Sequence, residues 1–573
     1  MLLQRLREYA ERQDDLGPPM YVNKLVRYEV ALDDDGRPLS LIELTGEQRQ
    51  GRNAGKLMMM PDRVRSGAAV RPILLTDTAE YALGWSDRPD KAASYNAAFI
   101  ELVNDAADAT GLPELRAVAR YFERDASERL AMPEGFERGW NVTFSVAGQY
   151  PTDHPAVQRF WAEYVSDLTG DTDDPPECLV CGRRNPVVRI LPQKIKGIPG
   201  GQSSGTALIS TNENAFESYG LDDMSCAPVC IECAEATSKA LNKLLATTTS
   251  HVRVNPLVYA YWSRDGGAGN VGMFLSNPDP QEVAVLLRAA ETGQVGALGI
   301  PGEQFYCVGL GPSGGRAAVR DWLDTSVERV ERNLARYFRL MTLVEPWGSD
   351  EARYFGVWRL ARGTLRSNAK ATDSPDPNVP RALLRCALQG GPLPDWLLAQ
   401  VIKRLRAEQE IDHLRAALIK MVLASQHEEW TTTMAGLDEQ NRHPAYLCGR
   451  LLAVLDQIQR AALGQRNATI IDRFFGTASS APMTVFPRLV RGAQPHLSRL
   501  RRDRPTTGRA LENRMQEIID LLDGFPRTLA LREQGLFVLG YYHQRAADRR
   551  AMIERREQAG AESVTPTDEN QEG

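Results

Sequence analysis

Apolar positions in the first twenty residues fall at Leu2, Leu3, Leu6, Tyr9 and Ala10, one stripe of a short amphipathic helix that ends before Gly17-Pro18-Pro19. The period then changes. Leu25 to Leu32 and Leu39 to Leu44 are rich in β-formers, and Asp33-Asp34-Asp35-Gly36 supplies the turn of a hairpin between them. Pro61 to Trp85 mixes basic residues with short apolar runs and reads as loop and strand. Ala93 to Phe122 reads as two helices broken near Gly111-Leu112-Pro113, and residues 141 to 180 read as strand-rich. Leu257 to Trp262, Gly272 to Leu275 and Phe305 to Leu310 are short apolar runs of strand length, whereas Val319 to Leu343 has the spacing of one helix.

Residues 367–380, SNAKATDSPDPNVP, hold three prolines among small polar residues and predict a linker. Beyond it the pattern is helical: Asp395 to Arg406, Ile411 to Ala424, Tyr446 to Ala462, a run through Leu511, Met515, Ile518, Ile519 and Leu522 with Gly524 as its stop, and Leu536 to Arg556. The expected division is an α+β region over 1–366, the linker, a helical bundle over 381–557, and an acidic, disordered tail over 558–573. The expected fold class is α+β, with a strand-rich insertion in the N-terminal region and an all-helical C-terminal bundle.

A chain of 573 residues calls for more than one core. Its net charge of −6, from 68 basic and 74 acidic residues, does not mark a nucleic-acid binder, but local basic patches can hide in such an average. No apolar run reaches the ~18 residues of a membrane span. Charges in MLLQRLREYAERQDD come too early for a secretory signal, so a cytoplasmic protein is expected.

Five of the eight cysteines cluster between Cys178 and Cys233. Cys178-Leu-Val-Cys181 and Cys230-Ile-Glu-Cys233 each place two thiolates on one tight turn, which suits two corners of a tetrahedral Zn²⁺ site. Gly182 permits the left-handed turn after the first pair. Unpaired reduced thiols and a redox dithiol are the alternatives, and Cys226 is a spare ligand. Four cysteine ligands leave no open position for water, so the expected Zn²⁺ is structural and makes 178–233 a zinc-ribbon-like segment.

The 48 residues between the pairs form an insertion. From Arg183 to Gly220 it carries Arg183, Arg184, Arg189, Lys194 and Lys196, with no acid before Glu213. Gly200, Gly201 and Gly205 allow close backbone approach, and Gln202, Ser203, Ser204, Thr206, Asn212 and Asn214 provide donors and acceptors. Such a loop suits phosphate contacts plus base-edge hydrogen bonds, against the alternative of a polar loop with solvated charges. A second basic run, Arg488 to Arg509, holds Arg488, Arg491, Arg499, Arg501, Arg502, Arg504 and Arg509. It reads as a groove for a nucleic-acid backbone or as a solvated surface.

Signs of catalysis are weak. Gly309-Leu-Gly-Pro-Ser-Gly-Gly315 begins as G-x-G-x-x-G after a strand, but lacks both the acid of a dinucleotide site and the lysine of a P-loop. G-x-S-x-G occurs around Ser203 and Ser313, and Ser313 has the predicted strand–turn–helix setting of a nucleophile, without a partner histidine or acid. The seven histidines are dispersed.

Six ordered blocks together carry a family resemblance. They are PDRVRSGAAVRPILLTDTAEYALGW from Pro61, CLVCGRRNPVVRILPQKIKGIPGGQSSGTALISTNENAFESYG from Cys178, FYCVGLGPSGGRAAVRDWL from Phe305, NRHPAYLCGRLLAVLDQIQ from Asn441, NATIIDRFFGTASSAPMTVFPRLV from Asn467 and EQGLFVLGYYHQR from Glu533. With these blocks the chain resembles the large subunit of the type I-C CRISPR effector complex, Cascade. The resemblance implies a non-catalytic subunit that recognises the protospacer-adjacent motif in target double-stranded DNA, promotes duplex opening and stabilises the R-loop. It implies as partners a CRISPR RNA, the backbone and RNA-end-binding Cascade subunits, a separate helicase-nuclease that cuts, and a small subunit made by internal translation of the same gene. Met434 is one candidate start. The resemblance does not supply the zinc, which rests on the cysteine spacing. Motif reading is expected of Lys194, Lys196, Gln202, Ser203, Ser204, Asn212 and Asn214, with Arg63, Arg65 and Arg71 contributing. Displaced-strand binding is expected of Arg488, Arg491, Arg499, Arg501 and Arg502. The competing readings are a nuclease with an unrecognised metal site and a zinc-stabilised scaffold with no DNA contact.

Overall fold

The computed structural model describes residues 1–46, 55–63, 65, 69–125, 130, 132–167, 175–188, 191, 193–211, 214–217, 219–221, 223–264, 271–292, 303–345, 352–427, 430, 434–464 and 469–562. The chain forms two compact units: Met1–Thr247 with Leu310–Arg320, and Thr248–Gly309 with Asp321–Gly573. The fold is mixed α+β with a helical C-terminal region.

The first unit opens with α1 (Leu2–Ala10), whose Leu6 is buried. β1 (Tyr21–Val26) pairs antiparallel with β4 (Lys56–Pro61). β2 (Tyr28–Leu32) and β3 (Pro38–Glu43) form the expected hairpin. They join β6 (Asn141–Val146) and β5 (Thr76–Thr78) in a sheet of order β3-β2-β6-β5. β2 and β6 run parallel, which demands a long crossover. α2 (Ala79–Ala82), α3 (Pro89–Thr110) and α4 (Pro113–Glu123) lie on that crossover; Gly111 ends α3 at φ 68° and Pro113 opens α4, as read from the sequence. Tyr28, Val30, Leu32, Phe99, Phe122 and Phe144 share this core. Glu29, on the opposite face of β2, is buried and accepts hydrogen bonds from the Ser145 and Tyr150 hydroxyls.

The strand content expected over 141–180 stops at Val146. A helix, α5 (Pro155–Asp167), follows, and buried Trp161 on it donates to the Met20 carbonyl at 3.0 Å. Isolated β-bridges then lead to α6 (Ile231–Ala246).

A second sheet, of order β10-β9-β8-β7, is built from β7 (His251–Val254), β8 (Leu257–Ser263), β9 (Gln304–Ser313) and β10 (Arg316–Ser326); all of it except the β9–β10 tip within Leu310–Arg320 belongs to the second unit. Gly272 to Leu275 was expected to be a strand and lies instead in a short helix, Val271–Ser276. Four apolar residues do not distinguish the two periods. The single helix expected over Val319–Leu343 begins only at Val327, where the Ser326 hydroxyl caps it by accepting from the Arg329 N–H at 3.3 Å. Upstream, buried Asp321 ties β10 down. It accepts from the Tyr259 hydroxyl at 2.7 Å and from Arg381 at 2.9 Å, and it pairs with Arg385 at 2.6 Å. With β10 a strand, Ser313 sits on a strand–turn–strand hairpin, and the nucleophile setting read from the sequence disappears.

The helical region includes Asn378–Gln389, Asp395–Glu408, His413–Gln426, Pro444–Leu463, Ile470–Ala478, Pro482–Asp503, Pro505–Asp520 and Leu531–Glu562. The last helix runs past Arg556 into the stretch expected to be tail, and 563–573 lie outside the described residues. One apolar core runs from Val252 to Ala546, taking in residues on both sides of 367–380. That stretch lies within the second unit: the Arg362 guanidinium donates to the carbonyls of Ala369, Lys370 and Asp373, and the Ser367 N–H to Glu408. The compact units part at Thr247/Thr248 and around the hairpin tip instead.

Candidate metal centre and nucleic-acid interface

Local backbone geometry builds the cysteine cluster. Cys178 N–H donates to the Arg183 carbonyl, and Gly182 N–H to the Cys178 carbonyl at 2.8 Å, with Gly182 at φ 69°. This knuckle folds both thiols of the first pair inward. Cys230 is the N-cap of α6 and Cys233 lies in its first turn, so the helix presents both thiols at its N-terminus, where its dipole favours thiolates. The bridge between Val187 and Cys230 brings the pairs together.

The four sulfurs lie within 4.8 Å of one another, and Cys181 Sγ and Cys230 Sγ are 3.9 Å apart. Tetrahedral zinc–thiolate bonds put sulfurs about 3.8 Å apart, so the donor set fits a divalent ion. Cys178, Cys230 and Cys233 are buried. Cys178 Sγ also accepts from the Val180 and Cys230 N–H groups at 3.4 and 3.3 Å, contacts that orient a metal ligand. The bond Cys230 accepts from Cys233 pulls its thiol down to about 5, and the same bond pushes Cys233 up. Burial works against the charge on Arg7, yet Cys233, Glu11 and Cys181 together raise its pKa. Cys226 stands apart, donating to the Leu221 carbonyl at 3.2 Å, and is not a fifth member of the cluster.

Helix α6 also holds the basic loop. Asn242 accepts from the Lys196 N–H at 2.9 Å and donates to the Lys194 carbonyl at 3.1 Å. Two backbone bonds between Ile195 and Thr206, 2.8 and 2.9 Å, close the loop's base. Gly205 sits at φ 93°, where a Cβ would stand 2.8 Å from that of Lys194. Its N–H donates to the Gln202 carbonyl at 2.9 Å, making a turn on which Gln202, Ser203 and Ser204 are all exposed. Lys194 and Lys196 are exposed at the base, and Asn214 is exposed on the 3₁₀ turn Asn214–Phe216. Asn212 and Arg189 lie outside the described residues.

Arg65 stacks on Tyr81 at 4.1 Å, ion-pairs with Asp77 and donates to the Arg71 carbonyl, so it braces its own unit. Burial lowers the pKa of Arg63, which faces Tyr164.

The second basic run lies on the helix Pro482–Asp503 and the start of the next, with all seven arginines exposed. At ~100° per residue, Arg488, Arg491, Arg499 and Arg502 share one face about 20 Å long. Arg501 falls on another side and pairs with Glu512 at 3.3 Å. Asp503 offsets part of the stripe, at 3.3 Å from Arg499 and 2.9 Å from Arg502.

Two features had no local signal in the sequence. One is Asn242, an ordinary helix residue until the loop rests on it. The other is Arg316, whose guanidinium lies 4.2 Å from the ring centre of Phe216, far away in the chain.

Among the described residues no helix is long and apolar enough to cross a membrane. No curated protein matches the chain. A family model described as CRISPR-associated protein (Cas_Csd1) matches residues 3–548, from the first helix into the last. The chain therefore belongs to the Cas_Csd1 family of CRISPR-associated proteins.

Proposed function

We propose that the chain is the large subunit of a type I-C Cascade, a cytoplasmic surveillance complex guided by a CRISPR RNA. The family match over 3–548 carries this reading. In it, guide pairing supplies most of the sequence specificity, and the protein reads only a short motif and the backbone. The exposed turn at Gln202, Ser203 and Ser204 touches base edges of the protospacer-adjacent motif, helped by Asn212 and Asn214, while Lys194 and Lys196 hold phosphates and help open the duplex. The stripe of Arg488, Arg491, Arg499 and Arg502 steadies the displaced strand of the R-loop, while Arg501, turned to Glu512, stays outside it. The four cysteines hold a structural Zn²⁺ that fixes the base of the loop. The chain performs no catalysis, and a separate helicase-nuclease recruited to the complex cuts the target. A small subunit translated internally, with Met434 as one candidate start, repeats the C-terminal helices.

The test is affinity purification of the tagged chain from its host, reading protein masses and bound RNA together. The expected result is a set of backbone and RNA-end-binding subunits, a uniform guide RNA, and a short C-terminal fragment of this chain. Recovery of the chain alone and RNA-free would overturn the reading.

A further inference from the structure

The glycine-rich tip Leu310–Arg320 belongs to the same compact unit as the basic loop and docks directly on it. Ala207 N–H donates to the Gly315 carbonyl at 2.9 Å, and Ala317 N–H to the Ala207 carbonyl at 2.9 Å. A Cβ built on Gly315 would lie 3.4 Å from Gln202 Nε2, and one on Gly200 would lie 3.4 Å from Pro312. The exposed turn Gln202-Ser203-Ser204 and the exposed turn Ser313-Gly314-Gly315 therefore stand side by side. Next to them Arg316 lies on Phe216, an aromatic ring left 43% exposed at the surface.

Charge says what this joint surface takes. Neither Lys194–Ala207 nor Leu310–Arg320 contains an acidic residue, and together they carry Lys194, Lys196, Arg316 and Arg320. Side-chain-free glycines let a bulky ligand come close to backbone N–H groups. A guanidinium held over an aromatic ring gives up side-chain freedom before it meets a ligand.

We propose that the tip Leu310–Arg320 is the second wall of the duplex-reading surface, and that Arg316, held over the Phe216 ring, contacts target DNA beside Gln202. This rests on the function proposed above for the same loop. It turns a segment that reads as a plain turn into part of the specificity apparatus.

The test uses the complete complex loaded with guide RNA, with Arg316→Gln and Ser313→Glu made separately. The second change places a negative charge on an exposed tip residue and disturbs no buried contact. Wild-type and variant complexes are each titrated with a duplex carrying the motif, with the same duplex lacking it, and with the guide-complementary strand alone, which needs no motif reading. The expected result is an affinity for the duplex about tenfold weaker or more in both variants, with single-strand affinity unchanged. Unchanged duplex affinity in both variants, beside a wild type that prefers the motif, would overturn this inference alone. Equal losses on duplex and single strand would also overturn it, since the residues would then support assembly. A wild-type complex with no motif preference would sink the underlying reading, and this inference with it.

Discussion

At Cys230 the backbone passes from extended to helical, so one residue caps α6 and offers a sulfur to the cluster. Four thiols this close favour a bound cation over four charges left alone. Purified chain is expected to carry one zinc, read by metal analysis. Cys233→Ser should lose it and melt about 5 °C lower or more. A metal-free wild type would refute the site. Two histidines give a separate prediction. Burial holds His413 near 4 and His543 near 3, with the Tyr542 and Tyr446 hydroxyls 2.6 and 2.9 Å from their Nδ1 atoms. Between these values and 6.5 the unfolded chain binds more protons than the folded one. The contribution of these two histidines to stability is therefore complete above about 6.5 and falls with acidification, by about 2 kcal/mol per histidine at pH 5. Urea midpoints at pH 7 and pH 5 measure it, and His543→Gln should remove about half of the histidine contribution, leaving that of His413. The cysteine site was legible because its spacing is local. The Arg316–Phe216 stack was not, because two distant segments meet to make it.

Among the elements, those with explicit punctuation were read well. Gly111 and Pro113 break a helix pair, and the hairpin of β2 and β3 turns on its aspartates and glycine. Short apolar runs without caps misled, as at Gly272 to Leu275. Val319 and Trp322 fitted a helical period only because Asp321's partners, Tyr259, Arg381 and Arg385, are invisible to a local window. The helix Pro482–Asp503 adds what composition lacked, a direction for each arginine. Replacing Arg488, Arg491, Arg499 and Arg502 with alanine should lower the salt-dependence slope of DNA binding by about 2–3. Arg501→Ala, already turned to Glu512, should leave it unchanged. A slope insensitive to the fourfold change would remove the stripe from the interface.

Over the whole molecule, the mixed class and the helical C-terminal region were legible from period and length. The placing of 367–380 was not, since three prolines look the same in a linker as in a stretch held by Arg362 and Glu408. The core from Val252 to Ala546 spans it. A protease site introduced at 370–375 should therefore yield two fragments that still co-elute on gel filtration, whereas separation would show independent halves. The discontinuity of the first unit matters before the protein is finished. Met1–Thr247 leaves the ribosome first, but Leu310–Arg320, which completes it, follows only after Thr248–Gly309. At about 5–20 residues per second that interval is roughly 3–12 s. For those seconds the nascent chain presents Ala207 without its backbone partners. The surface proposed to meet DNA is thus the last part of its unit to mature, and stalling translation within that window would leave an N-terminal unit with half of it.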